Sequence, residues 1–177
     1  MDGFFSSDNR HWFFKLLLAH CAIFIFFLFD FINFGMTFSQ DIKPFFTLIA
    51  IFFWSIYRPT LMLPIYVFAL GVLFDIVLGY QIGLHAFLFV GIQWVLRSQR
   101  LYFLGQSQTI LWLSFALTCF AALVVEWGLF SLFNGYLYEF QAVLFRTVTS
   151  IIAFPLVTLL FHIICRTLPP VKQAHFT

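Results

Sequence analysis

Apolar residues form six runs along the chain, separated by short breaks of polar residues or proline. Runs of this kind predict helices that lie in the ~30 Å hydrocarbon core of a membrane. The six predicted spans are residues 12–34, 42–57, 61–78, 84–96, 109–133 and 142–164. The second and fourth are short, so they would need snorkelling flanks, a thinner local bilayer or cover from neighbouring helices. The pattern predicts an all-α integral membrane protein, with six transmembrane helices in one polytopic domain over residues 1–177.

Arg58 and Pro59 interrupt the apolar pattern between the second and third spans. Proline cannot continue a helix, but its fixed φ suits the first turn of the next one. We therefore expect the third helix to begin at this dipeptide.

Composition supports a membrane protein. The 177 residues are 63% hydrophobic and 9% charged, with a mean hydropathy of +1.00, whereas soluble domains carry about 25% charged residues. The longest polar connection, around residues 97–108, is too short for an ATPase or kinase domain. Cys21, Cys119 and Cys165 lie in apolar runs at no metal-ligand spacing, which favours free packing thiols. We predict no catalytic residue, cofactor or metal, and no nucleic-acid partner.

Basic residues orient the predicted spans. With six spans, seven basic residues share one side and two share the other, whereas dropping the second span gives six against three. The larger group is Arg10, Lys15, Arg58, Arg97, Arg100, Arg166 and Lys172, and the smaller is Lys43 and Arg146. By the positive-inside rule, both termini are then cytoplasmic.

One acidic residue lies within the apolar third span, among glycines four residues apart: Gly71, Asp75, Gly79 and Gly83, hereafter the glycine–aspartate motif. A step of four keeps residues near one helical face, drifting by roughly 40° each time. Gly71 and Gly79 are expected to let another helix approach the face that carries the carboxylate. Gly83 ends the five-residue turn Gly79–Gly83 into the fourth span, because glycine tolerates positive φ. A carboxylate in hydrocarbon is costly, so Asp75 should face a partner or a wet cavity.

The acidic residues sort to the outer half of this topology: Asp30, Asp41, Asp75, Glu126 and Glu139. Arg146 is the natural ion-pair partner there for Asp75 or Glu126. A packing role for these acids is favoured over an acid/base pair or proton relay. His20, His85 and His162 are interpreted as interhelical hydrogen-bonding residues rather than metal ligands, since they lack a metal-binding spacing.

The stretch from Arg58-Pro59 through Leu63-Pro64 to the glycine–aspartate motif and Leu84 resembles the MreD family of bacterial rod shape-determining membrane proteins. The resemblance implies a non-enzymatic inner-membrane scaffold of the cell-elongation complex, which helps to position peptidoglycan synthesis. Its implied partners are an MreC-like bitopic protein, the cytoskeletal MreB, RodA and a class B penicillin-binding protein, with a homodimer left open.

The resemblance also implies a fold similar to the S-components of energy-coupling-factor transporters. That similarity keeps an alternative function open, as the vitamin-binding subunit of a membrane transporter. A transporter subunit would need a coherent polar pocket that faces outward, whereas the polar residues available here are few and mostly acidic.

Overall fold

The computed structural model describes residues 7–32, 43–135 and 139–167, with side chains described from Leu17 to Arg166 within those ranges. These residues form seven helices and no strand. The helices are α1 (Ser7–Phe29), α2 (Phe46–Tyr57), α3 (Pro64–Leu78), α4 (Leu84–Ser98), α5 (Arg100–Leu104), α6 (Gln108–Asn134) and α7 (Phe140–Thr167). An all-α fold is therefore confirmed for the described residues. Asp41, one of the acids expected in the outer half, and Lys172, one of the basic residues used to orient the spans, lie outside the described residues.

Two helix boundaries differ from the sequence-based expectation. Helix α3 begins at Pro64 and not at Pro59, which lies in the turns that follow α2. Pro64 takes the first helical position, where the missing N–H costs nothing, and Leu63 before it is extended, as a residue preceding proline prefers. The second difference is α5, a five-residue helix inside the predicted polar connection.

Helix α2 is the centre of the bundle. All ten residues from Thr47 to Ile56 are buried, because α1, α4, α5, α6 and α7 pack around it. A 12-residue helix is only ~18 Å long, which is why the second predicted span looked too short to cross a bilayer. Its cover comes from neighbouring helices, which was one of the three explanations considered for its length.

Helices α6 and α7 are each long and apolar enough to cross a membrane. Helix α7 contains Pro155, which has no N–H to donate and so leaves the carbonyl of Ile151 without its helical donor. Trp112 of α6 fills that vacancy, since its Nε1 donates a hydrogen bond to Ile151 O at 2.9 Å. The proline is thus tolerated in a long apolar helix because the adjacent helix supplies the missing donor.

The alternating helices create two distinct ends. Helices α1, α3 and α6 finish at one end, where α2, α4 and α7 begin, and we call it the acidic end because it holds Asp30, Asp75, Glu126 and Glu139. The opposite, basic end carries Arg58, Arg97, Arg100 and Arg166.

Candidate functional site

The glycine–aspartate motif folds into a tight hairpin of α3 and α4 at the acidic end. Gly79 ends α3 with φ of 71°, and Gly83 precedes α4 with φ of 106°. Both values lie in the left-handed region, which glycine adopts without the steric cost that a side chain would bring. The backbone N–H groups of Gly79 and Tyr80 both donate to Asp75 O, which closes the end of α3.

At Gly71 the backbones of α3 and α4 lie close together. A Cβ added at Gly71 would lie 2.3 Å from Ala86 Cα and 2.5 Å from Ala86 N. At Gly79, by contrast, an added Cβ would meet no atom of the described residues within 4 Å. Gly79 therefore takes no part in a close helix crossing within the described bundle, and its positive φ explains the glycine at this turn.

Asp75 is fully buried and caps the start of α4 with its side chain. Its Oδ2 accepts a hydrogen bond from Gly83 N at 2.7 Å, and its Oδ1 accepts one from His85 N at 3.1 Å. These N–H groups belong to the first turn of α4, where the helix leaves donors unsatisfied and its dipole favours a negative charge. The buried carboxylate is thereby compensated by the backbone of the adjacent helix.

His85 connects Asp75 to α6. Its Nδ1 lies 2.7 Å from Asp75 Oδ1, within hydrogen-bonding distance. Its Nε2 lies 3.4 Å from Glu126 Oε1, which is an electrostatic contact and not a hydrogen bond. Tyr80 stacks on the imidazole, with ring centroids 5.3 Å apart and 13° between the ring planes. His85 is fully buried, so packing against Tyr80 helps to set the orientation of its ring.

Glu126 continues the chain of contacts to α7. Its Oε1 accepts a hydrogen bond from Arg146 Nη1 at 3.1 Å, and the Arg146 guanidinium lies over the ring of Phe45 at 4.2 Å from the ring centroid. Asp75, His85, Glu126 and Arg146 therefore form a continuous chain of polar contacts across α3, α4, α6 and α7. The sequence predicted either Asp75 or Glu126 as the ion-pair partner of Arg146. In the structure, Glu126 lies beside Arg146, whereas Asp75 contacts His85.

Asp30 makes a second carboxylate cap, at the start of α2. It accepts hydrogen bonds from Phe46 N at 2.9 Å and from Thr47 N at 2.8 Å, and the Thr47 hydroxyl also donates to it. The preceding N–H, on Phe45, donates to Ser150 Oγ of α7 at 2.8 Å. The central helix is thus fastened at the acidic end by both α1 and α7.

A cavity of about 500 Å³ opens beside this network at the acidic end. Its ionisable lining comprises Asp30, Lys43, Glu126, Glu139 and Arg146. Its remaining lining is Phe31, Pro44, Phe74, Val77, Leu78, Tyr80, Leu123, Trp127, Phe130, Ala142 and Val143. The cavity is therefore mixed in character, with aromatic and aliphatic walls around a few charged groups.

Arg58 and Pro59 lie at the opposite end of the bundle, away from the glycine–aspartate motif that follows them in sequence. There Arg100 Nε donates to Ile56 O at 2.8 Å, which satisfies a carbonyl in the last turn of α2. The predicted site residues thus lie in two separate places. The glycine–aspartate motif, Glu126 and Arg146 lie towards the acidic end, whereas Arg58 and Pro59 follow α2 at the basic end.

Sequence reasoning overlooked the central position of His85 and the capping role of Asp30. Asp75 and Asp30 each lie at or near the end of one helix and cap the start of the next. The capped N–H groups follow Asp75 by eight and ten residues, and they follow Asp30 by 16 and 17 residues. An acid before a turn, followed by a helix with no capping side chain of its own, is the signal that could have found both. His85 follows Gly83 by two residues, which places its ring beside the capped turn.

The chain matches the protein-family model described as rod shape-determining protein MreD over residues 11–168. Neither the curated proteins nor the solved structures gave a match. The expected similarity to transporter S-components therefore stays a prediction, and the transporter alternative gains no support.

Proposed function

The chain belongs to the MreD family of rod shape-determining proteins, and we propose that it acts as a non-enzymatic inner-membrane scaffold of the cell-elongation complex. The family match over residues 11–168 carries this proposal, because it covers most of the chain and concerns cell shape. The scaffold would bind an MreC-like bitopic protein and, through it or directly, MreB, RodA and a class B penicillin-binding protein. Its effect would be to position peptidoglycan synthesis.

The proposed arrangement in the membrane has six spans and cytoplasmic termini. The division of seven basic residues against two supports it. So do the apolar helices: α6 and α7 are long enough to cross, and the shorter apolar helices include α3 and α4. In this arrangement, the acidic end faces outward and the basic end faces the cytoplasm.

The architecture of the acidic end suits a scaffold. The chain of contacts from Asp75 to Arg146 joins four helices, and breaking its Glu126–Arg146 ion pair would leave an uncompensated charge. The helices are thereby held in one arrangement, which a partner-binding surface requires. In this proposal the motif acts on function by keeping the shape of the bundle, and not by chemistry.

Large apolar side chains are exposed on the outer surface of the bundle, as expected for a surface that contacts lipid or another helix. Examples on α4 are Phe87, which is 79% exposed, and Trp94, which is 71% exposed. We propose that part of this surface receives the membrane helix of the MreC-like partner. Self-association into a homodimer would use the same kind of surface.

Depletion in a rod-shaped host tests the proposal. Loss of the protein should turn the rods round, and an epitope-tagged copy should restore shape and co-purify an MreC-like protein in mild detergent. Gly71→Ala should fail to restore shape because the α3–α4 hairpin cannot close, whereas Gly91→Ala, on an open face of α4, should restore it. Unchanged rod shape on depletion, or a functional tagged copy that co-purifies no MreC-like protein, would contradict the scaffold proposal.

A further inference from the structure

The cavity at the acidic end has the dimensions of a ligand site. Its volume of about 500 Å³ falls within the range of pockets that hold small molecules, roughly 300–1,000 Å³. The ion-pair network forms only part of the cavity wall. The ion pairs that hold the bundle together therefore do not account for the other residues that line the cavity.

The charged lining carries an excess of negative charge. Among the described residues, three carboxylates and two cations line the cavity, which leaves one negative charge over when all of them are ionised. Arg146 is already occupied on two sides, by Glu126 and by the ring of Phe45, and its side chain is only 21% exposed. Glu139, in contrast, is exposed at the cavity wall. An incoming cation would therefore meet more attraction than repulsion.

Glu126 adds negative charge to the cavity wall. Its side chain lines the cavity and is 11% exposed, while its Oε2 is itself buried and accepts no hydrogen bond from the described residues. A cation in the cavity would therefore be attracted by the charge of this carboxylate, and not by a hydrogen bond to Oε2.

Aromatic rings in the cavity wall also favour binding of a cation. Tyr80, Trp127 and Phe130 all line the cavity, and Tyr80 meets Phe130 edge to face with ring centroids 4.8 Å apart. The faces of such rings attract ammonium groups, and pockets that combine several rings with a carboxylate recognise alkylated amines. The neighbouring aliphatic residues would contact an apolar body attached to that ammonium group.

From the excess negative charge of the described lining, which includes the Glu126 carboxylate, and from the three rings, we propose that this cavity binds an ammonium group carried on an apolar body. Two sources supply this chemistry: the head group of a zwitterionic lipid such as phosphatidylethanolamine, and a soluble organic amine. The site is additional to the scaffold role and does not depend on any partner of the rod complex.

Binding to the purified full-length protein in a neutral detergent tests the proposal. Thermal unfolding and native mass spectrometry are recorded with phosphatidylethanolamine, with phosphatidylglycerol of the same acyl chains, with hexylammonium and with hexanol. A ligand that binds only the folded state raises the unfolding temperature in a saturable way. We expect saturable binding of at least one of the two amines and none of phosphatidylglycerol or hexanol. Binding of phosphatidylethanolamine alone identifies a lipid source, and binding of hexylammonium identifies a site open to soluble amines.

Two variants at the wall locate the site, and one distant variant is the control. Trp127→Leu and Glu139→Gln should each raise the amine dissociation constant by roughly tenfold. Trp94→Leu removes an exposed indole from α4 away from the cavity and should leave the constant unchanged. Glu126→Gln should abolish binding if the variant folds. If it does not fold, Trp127→Leu and Glu139→Gln decide whether the amine binds in this cavity. Equal binding of amines and their uncharged or anionic counterparts, binding of neither amine, or equal binding by all three folded variants would overturn the proposal.

Discussion

The close approach of α3 and α4 makes Gly71→Ala the sharpest test of the hairpin. The new Cβ would lie 2.3 Å from Ala86 Cα and 2.8 Å from the carbonyl carbon of His85. Carbon atoms pack at about 3.5 Å or more, so α4 must retreat by about 1.2 Å at this point. All three of the nearest atoms belong to the backbone, so no side-chain rotation can relieve the contact.

The retreat also acts on the carboxylate cap. A shift of that size along the bond from Gly83 N to Asp75 Oδ2 would lengthen it from 2.7 Å to a distance beyond hydrogen bonding. Overpacking costs about 1–3 kcal/mol, and losing one hydrogen bond to a charged group costs about 1.5–3 kcal/mol. We therefore expect Gly71→Ala to lower the free energy of unfolding by about 2.5–6 kcal/mol, a large part of the total for a domain.

Thermal unfolding in detergent and immunoblots of membrane fractions measure this effect. Gly91→Ala is the matched control, since its Cβ meets nothing within 4 Å and alanine is favoured over glycine in a helix by about 0.5–1 kcal/mol. Adding Ala86→Gly to Gly71→Ala should not restore stability, because the clash is with the Ala86 backbone. Wild-type stability of Gly71→Ala, or its rescue by Ala86→Gly, would refute a backbone contact between the two helices.

Three further predictions follow from contacts between helices, and a fourth from charge. Asp75→Asn should lower the unfolding temperature, because one carboxamide oxygen replaces two charged acceptors and the amide group opposes the backbone donors of α4. Glu126→Gln and Arg146→Gln should each destabilise by about 3–5 kcal/mol, and the double variant should cost less than their sum. Trp112→Phe should destabilise by about 1–3 kcal/mol by leaving Ile151 O without a donor. A cysteine-reactive label that cannot cross the membrane should reach a C-terminal tag only from the cytoplasmic side.

Each of these predictions has an outcome that contradicts it. Asp75→Asn with unchanged stability would mean that the charge of the cap is unimportant. Strict additivity of the Glu126 and Arg146 variants would separate the two residues energetically. A neutral Trp112→Phe variant would assign another donor, such as water, to the carbonyl beside Pro155. Labelling from outside the cell would reverse the topology, and with it the outward placement of the acidic end.

Local pattern was sufficient for much of the fold. The apolar runs predicted six helices close to α1–α4, α6 and α7, because a run of apolar residues is a strong helical signal in a membrane protein. The glycines at both ends of the turn from Gly79 to Gly83 were also readable from sequence, since a positive φ favours glycine over other residues. Boundaries were harder: Pro59 and Pro64 both suit a helix start, and only the path of the chain after α2 decides between them.

Contacts between helices required the tertiary structure. Sequence placed Asp75, Glu126 and Arg146 at one height, but helix rotation decides which side chains meet, and rotation depends on packing across the whole bundle. Hence Arg146 pairs with Glu126, and His85 stands between the two acids. The position of Asp30 over the first turn of α2 likewise arises only when α1 and α2 pack together.

The sequence by itself therefore determined the class of protein, the approximate positions of six of the seven described helices and the turn of the hairpin. These depend on composition, periodicity and backbone conformations within a few residues. The tertiary structure alone decided that α2 is the buried centre, that Trp112 replaces the donor missing at Pro155, and that a mixed cavity opens at the acidic end. Each of these depends on residues far apart in the chain, whose distances are set by how the helices pack and not by any local pattern.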